Sequence, residues 1–158
     1  MPQQLPITLI DGRSGAGKTE LAARLAARGR ARVIHMDDLY PGWQGLLGGQ
    51  EYLLTQILRP LLTTRTARWQ NWDWQLHRRT TWDSANSAEK LIIEGCGSLT
   101  PETAAVATHR IWLEVAPEVR RDRIRFRDGA DWWWEMWAAQ EAAHIAQNRP
   151  AELATRSR

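Results

Sequence analysis

Eight residues near the start of the chain have the types and spacing needed to hold a polyphosphate. Gly12-Arg13-Ser14-Gly15-Ala16-Gly17-Lys18-Thr19 fits G-x-x-x-x-G-K-[ST] without departure. Glycines let successive backbone N–H groups turn inward around phosphate oxygens. A helix starting at the end of the loop adds its partial positive charge. Lys18 then reaches the β- and γ-phosphates, and the Thr19 hydroxyl is offered to Mg²⁺. A glycine-rich turn capping a helix would share some of these letters. The apolar strand directly before and the amphipathic helix directly after favour the phosphate cradle.

Three more groups complete a candidate site. Asp37 and Asp38 follow an apolar segment and suit a general base or a metal site. Their side chains point apart on extended backbone, so one of the two faces the phosphates. Glu94 ends Leu91-Ile92-Ile93, where a carboxylate can hold Mg²⁺ directly or through water. Arg120, Arg123 and Arg127 are spaced i, i+3 and i+7, which puts three guanidiniums on one helix face. Such a helix can act as a lid and stabilise charge on a transferring group. His35 reads as a strand residue and Cys96 as a small strand-end residue.

The elements that must position these groups follow from the pattern. Leu5–Ile10 reads as a buried strand, and Lys18–Arg28 as a helix stopped by Gly29. Ala31–Met36 is a second strand. Residues 37–50 hold five glycines and prolines and are expected to be a loop. A helix is expected over Glu51–Leu62, bent near Pro60. Ala67–Trp74 alternates weakly, as a short strand or hairpin arm. Strands at Lys90–Glu94 and Arg110–Val115 flank a short helix at Pro101–Ala107. Helices follow from Pro117 to about Arg127 and from about Asp131 to Asn148. Strands alternating with helices predict a parallel sheet of four to five strands with helices on both faces, an α/β fold with its ligand crevice at the strand ends.

Length and composition agree with one such domain over residues 1–158, with 43% hydrophobic and 25% charged residues. No apolar run is long enough for a membrane span, the start carries no secretory signal, and the single cysteine can form no internal disulfide. These features point to the cytoplasm. The net charge of +3 suits an anionic small ligand. Nucleic acid is disfavoured, because the arginines are spread along the chain and the loop already accounts for basic charge. The only lysines are Lys18 and Lys90, so a lysine stands where the loop chemistry calls for a compact ammonium.

Ten tryptophans accompany one phenylalanine. Trp112 is expected in the core, as are most of Trp132, Trp133, Trp134 and Trp137. Three consecutive indoles cannot share one helix face, so one of Trp132–Trp134 must meet solvent, a ligand or a partner chain. For Trp69, Trp72, Trp74 and Trp82, core packing and contact with an acceptor bearing an aromatic base or a pyranose are equally good readings.

Taken together, these segments resemble the uridine kinase and nicotinamide riboside kinase group of P-loop kinases. The resemblance rests on the run from Asp11 to Thr19, on Met36-Asp37-Asp38-Leu39-Tyr40, on Ile92-Ile93-Glu94-Gly95, and on Arg120 to Asp128 with its R-x-x-R-x-x-x-R-D pattern. It covers about residues 5–128. It implies a three-layer P-loop NTPase sandwich, ATP with Mg²⁺ as phosphoryl donor, and a nucleoside or related small-molecule acceptor. Asp37 would take the proton from the acceptor hydroxyl, with Tyr40, Asp73 and Trp74 near the acceptor. Thr19 and Glu94 would serve the metal. Lys18 and Arg123 would act in transfer, and Arg120, Arg123 and Arg127 would hold phosphates. A homodimer is compatible with such a chain. The sequence departs from this group in its tryptophan content and in the polar tail Ala151–Arg158, which leaves the sheet at four strands unless the tail adds something. A switch or ATPase with no acceptor is the rival reading and has no need for Asp37.

Overall fold

The computed structural model describes residues 3–157. Strand β1 (Leu5–Gly12) runs through the middle of a parallel sheet, because its residues are apolar on both sides. Leu5, Ile7 and Leu9 point to one face and Ile10 to the other, and all four are almost fully buried. Strands β2 (Arg32–His35) and β5 (Leu91–Glu94) lie on one side of β1. On the other lie β6 (Ala107–Leu113) and β7 (Arg156–Ser157), and the spatial order is β2-β5-β1-β6-β7. Leu9 stands opposite Ile93, and Gly12 opposite Leu113, so all four long strands end at one edge of the sheet.

Strand β7 comes from the polar tail. It adds a short fifth parallel strand beside Ile111 and Trp112. Thr155 makes the junction: its N–H donates to the Arg110 carbonyl, and its hydroxyl accepts from the Arg110 N–H. The tail thus answers the four-or-five question in favour of five.

Helix α1 (Lys18–Gly29) covers one face of the sheet through Leu21 and Ala22, against Ile10, Ile92 and Ile111. The other face is covered by the larger core, built on Leu5, Ile7, Leu9, Leu91 and Ile93. Its helices are α2 (Leu46–Tyr52), a π-helical stretch at Leu53–Leu58, α3 (Arg59–Thr63), α4 (Pro101–Val106) and α6 (Trp134–Asn148). Helix α5 (Pro117–Asp128) crosses the strand-end edge, and α7 (Pro150–Leu153) leads to the tail.

Three sequence expectations change. The helix expected from Glu51 starts at Leu46, because Gly48 and Gly49 serve close packing and do not break it. A Cβ on Gly49 would lie 2.5 Å from the Tyr40 ring, and one on Gly48 2.6 Å from the Pro41 ring. The bend expected near Pro60 is taken up by π-helical widening one turn earlier, which accommodates the proline ring and its missing N–H. The uncertain segment at Ala67–Trp74 is β3 (Thr66–Asp73), one arm of an antiparallel hairpin with β4 (Arg78–Asn86), outside the main sheet.

Candidate functional site

The phosphate loop leaves β1 at Gly12 and enters α1 at Lys18. Two glycines are required by close approach to backbone. A Cβ on Gly12 would sit 2.7 Å from the Leu113 carbonyl oxygen, and one on Gly15 2.5 Å from that of Arg120. Gly15 also has φ +81°, in the left-handed region. The loop therefore lies flush against β6 and α5.

Lys18 is buried and its ammonium donates to the Arg13 carbonyl at 2.9 Å, closing the loop on itself. Burial alone would lower its pKa. The surrounding carboxylates of Asp11, Glu141 and Glu94 outweigh burial and raise it above the usual value, so it stays charged. The Thr19 hydroxyl donates to Glu94 Oε1 at 3.3 Å. This places the two expected metal-side residues together. Among the described residues there is no group of three or more acidic, histidine or cysteine side chains able to hold a metal alone.

Glu94 has a second partner. His35 Nδ1 lies 2.6 Å from the same Oε1. The hydrogen bond to Glu94 raises the His35 pKa, against the opposing effect of burial. His35 is a strand residue, as expected, and it braces the Glu94 carboxylate. Asp37 and Asp38 are expected on extended backbone with one facing the phosphates; they lie instead in a short 3₁₀ turn (Met36–Asp38), whose tighter winding opens both into the cleft. The cleft walls desolvate Asp37, and Glu94 repels it, so its carboxyl lies above the usual range despite Lys18 and Arg127.

Of the three arginines expected to hold phosphates, two line the cleft and one does not. Arg120 is buried, its Nε donating to the Val115 carbonyl at 2.9 Å and its Nη1 to Ser14 O at 3.3 Å. It fastens α5 to the loop backbone and does not line the cleft, because the first turn of α5 lies directly on Gly15. Arg123 lines the cleft and donates to the Gly15 carbonyl at 3.1 Å. Arg127 also lines it, paired with Asp128. Arg13 turns away to Glu141 and the Ala138 carbonyl.

The cleft encloses about 980 Å³ between the loop, α1, α5, the Asp37 turn and a wall of indoles. Trp43 stands at the centre of the wall, stacked on Trp133 at 5.5 Å, tilted against Trp74 at 5.0 Å and edge-on to Trp132 at 5.0 Å. Trp74 lines the cleft, and its Nε1 donates to the Asp37 carbonyl at 2.9 Å. Tyr40 also lines it, with its hydroxyl committed to the Cys96 carbonyl at 2.6 Å. Asp73 does not reach the cleft. Its carboxylate accepts from the Gln75 and Leu76 N–H groups, as a cap of the β3–β4 turn. Trp112 and Trp69 are core residues, and Trp132 is the solvent-facing member of its triplet at 69% exposure.

Helix α6 contributes residues that sequence reasoning passed over. Glu141 Oε2 accepts from the Ser14 N–H at 2.7 Å and from Cys96 Sγ at 3.0 Å, while Oε1 accepts from Arg13 at 3.3 Å. One turn on, His144 Nε2 lies 2.8 Å from Asp11 Oδ2, and both side chains are buried. His144 Nδ1 accepts from the amides of Gln50 and Asn148, so Nε2 carries the proton and donates to Asp11. Asp11 in turn accepts from the N–H groups of Gly12, Gly97 and Leu99. The signal in the sequence is that Glu141, His144 and Asn148, at i, i+3 and i+7, form one polar stripe along the helix.

This architecture, a five-stranded parallel sheet between helices with a glycine-rich loop at the strand ends, is similar to that of solved kinases. A "possible uridine kinase" from Bacillus stearothermophilus superposes with a TM-score of 0.68 at 20% identity, covering 99% of this chain and 89% of that one. A provisionally named fructose transport system kinase from Silicibacter sp. TM1040 gives 0.59 at 19% identity, over 100% and 91%. Shikimate kinase from Bacteroides thetaiotaomicron gives 0.52 at 15% identity, over 96% and 84%. At these identities the likeness establishes the fold. No protein-family model and no curated protein sequence matches the chain. No helix among the described residues is long and apolar enough to cross a membrane.

Proposed function

We propose that the chain is an ATP-dependent small-molecule kinase that transfers the γ-phosphoryl group to an acceptor hydroxyl. The observation that carries this is the placing of Asp37 across one cleft from Lys18, Thr19 and Glu94, with an aromatic wall beside it. The loop N–H groups and Lys18 would hold the triphosphate, and Arg123 and Arg127 would close from α5. Mg²⁺, held by Thr19 and by Glu94 directly or through water, would supply charge neutralisation across the phosphates. The acceptor oxygen bonds to the γ-phosphorus as the bond to the ADP oxygen breaks, and the acceptor proton passes to the Asp37 carboxylate. A raised Asp37 pKa suits this role, because a more basic carboxylate takes that proton more readily.

A switch or simple ATPase would have no use for a carboxylate beside the aromatic wall. The sequence resemblance makes nucleosides and related alcohols the first acceptors to test. ADP release in the presence of acceptor is expected to fall by about 10²–10⁴-fold in Asp37→Asn with ATP binding retained. Near-wild-type transfer by that variant would remove Asp37 from the mechanism. Steady hydrolysis that no acceptor stimulates would favour the switch.

A further inference from the structure

The acceptor half of the cleft has a chemical character of its own, and its occupant can be narrowed on the strength of the kinase reading. Every basic side chain lining the cleft among the described residues belongs to α1 or α5: Lys18, Arg24, Arg123 and Arg127. The opposite wall is Trp43, Trp74, Trp133 and Trp137, with Asp37 and Asp38 beside it. Two arginines outside the cleft lining are engaged elsewhere. Arg79 donates to the carbonyls of Leu39 and Gln70 and lies 3.4 Å from the Tyr52 ring centroid, and Arg13 is held by Glu141.

Three acceptor classes fit this wall badly. A phosphorylated or carboxylated alcohol would bring its anion against Asp37 and Asp38, and the Asp37 charge is offset only from the phosphate-loop side, by Lys18 and Arg127. A nucleobase carries donors and acceptors along one edge and needs matching partners. Asparagine and glutamine are missing from the cleft lining among the described residues, and its serine and threonine, Ser14 and Thr19, belong to the phosphate loop. A cationic alcohol would want indole faces arranged around a point. Here Trp43 is packed by Trp74, Trp132 and Trp133, which makes a wall and not a cage. A cation beside Asp37 would also lower the pKa that suits it to accept a proton.

A ring with one apolar face and several hydroxyls matches what is present. Its C–H face lies on indole, and its hydroxyls donate to carboxylates. We infer that the acceptor is an uncharged cyclic polyol, a free sugar, bound against Trp43 and Trp74 with its hydroxyls on Asp37 and Asp38.

The test is an ADP-release screen with ATP and Mg²⁺ against neutral monosaccharides, nucleosides, sugar phosphates, hydroxy acids and amino alcohols, alongside tryptophan fluorescence titrations with each. A neutral sugar is expected to give the highest kcat/KM. Trp74→Ala should then raise the KM for that sugar roughly tenfold, with the KM for ATP unchanged, and Trp74→Phe should restore most of the loss. Higher kcat/KM for a nucleoside, an anionic alcohol or an amino alcohol overturns the sugar assignment and leaves the kinase reading standing. A saturable sugar-induced fluorescence change that Trp74→Ala abolishes, without phosphoryl transfer, supports the sugar site and overturns the kinase reading. Absence of both transfer and fluorescence change with every sugar, in protein that binds ATP, overturns the sugar site.

Discussion

Replacing Glu141 by glutamine tests whether α6 holds the phosphate loop in shape. Glu141 is 3% exposed, and its two oxygens together accept from the Ser14 N–H, Cys96 Sγ and Arg13 Nε. Glutamine keeps the shape but has one carbonyl oxygen. If that oxygen stays on Ser14, the amide N–H₂ faces the Arg13 Nε–H, donor against donor. The Ser14 bond also becomes neutral, a loss of about 1 kcal/mol. Severing a fully buried ion pair costs about 3–5 kcal/mol. The Arg13 side chain is 29% exposed, so water replaces part of what it loses, and about 1 kcal/mol is the appropriate figure there. The sum is about 2 kcal/mol, which for a domain of this size lowers Tm by roughly 4–8 °C. The loop should also relax, raising the Kd for ATP several-fold. Thermal unfolding with and without ATP measures both. Adding Arg13→Met isolates the ion pair: in the Glu141→Gln background its further cost should be smaller than in wild type by about 1 kcal/mol. A Glu141→Gln protein with wild-type Tm and ATP affinity would refute the clamp.

Other outcomes follow from the same geometry. Gly49→Ala should destabilise by about 1–3 kcal/mol despite the roughly 0.5–1 kcal/mol that alanine gains in a helix, because the new methyl meets the Tyr40 ring at 2.5 Å; denaturant midpoints decide the sign. Arg120→Lys should lower stability by about 1–2 kcal/mol, since an ammonium cannot span the Val115 and Ser14 carbonyls together; thermal unfolding of the two proteins measures it. His35 has its pKa raised in the folded state, so its contribution is complete below the unfolded value near 6.5 and fades as pH rises through the folded pKa. The difference in unfolding free energy between wild type and His35→Gln, measured without metal, should therefore be largest below about pH 6 and shrink as the pH rises beyond the ordinary 6.5. Its size stays below about 1 kcal/mol because the side chain is 42% exposed. Asp37 must be ionised to accept a proton, so kcat/KM should climb through an acid limb centred above the ordinary 3.8.

The donor half of the site was legible because it is local. A loop of eight residues between an apolar strand and a helix carries its own geometry, and Asp37 and Glu94 announce themselves by following apolar strands. Arg120 shows where that locality ends. Its i, i+3, i+7 spacing with Arg123 and Arg127 is correct, but only packing reveals that Gly15 lies under the Arg120 backbone, which sends the guanidinium to loop carbonyls. Gly48 and Gly49 misled in the same way: composition says loop, and the neighbouring Tyr40 and Pro41 rings say close-packed helix. The family resemblance puts Asp73 near the acceptor, whereas the turn after it claims the carboxylate. Glu141 and His144 lie more than a hundred residues from Ser14 and Asp11, so no spacing rule connects them.

Helix α6 touches both halves of the cleft as one element. Glu141 and His144 hold the loop and the end of β1, Trp137 lines the acceptor wall, and Gln140 fixes the Trp43 loop through its bonds to the Trp43 carbonyl and the Leu46 N–H. A shift of this helix on nucleotide binding would be felt at the indoles, and a shift on acceptor binding would be felt at the loop. Thermodynamic linkage then makes the effect mutual: the factor by which one substrate tightens the other is the same in both directions.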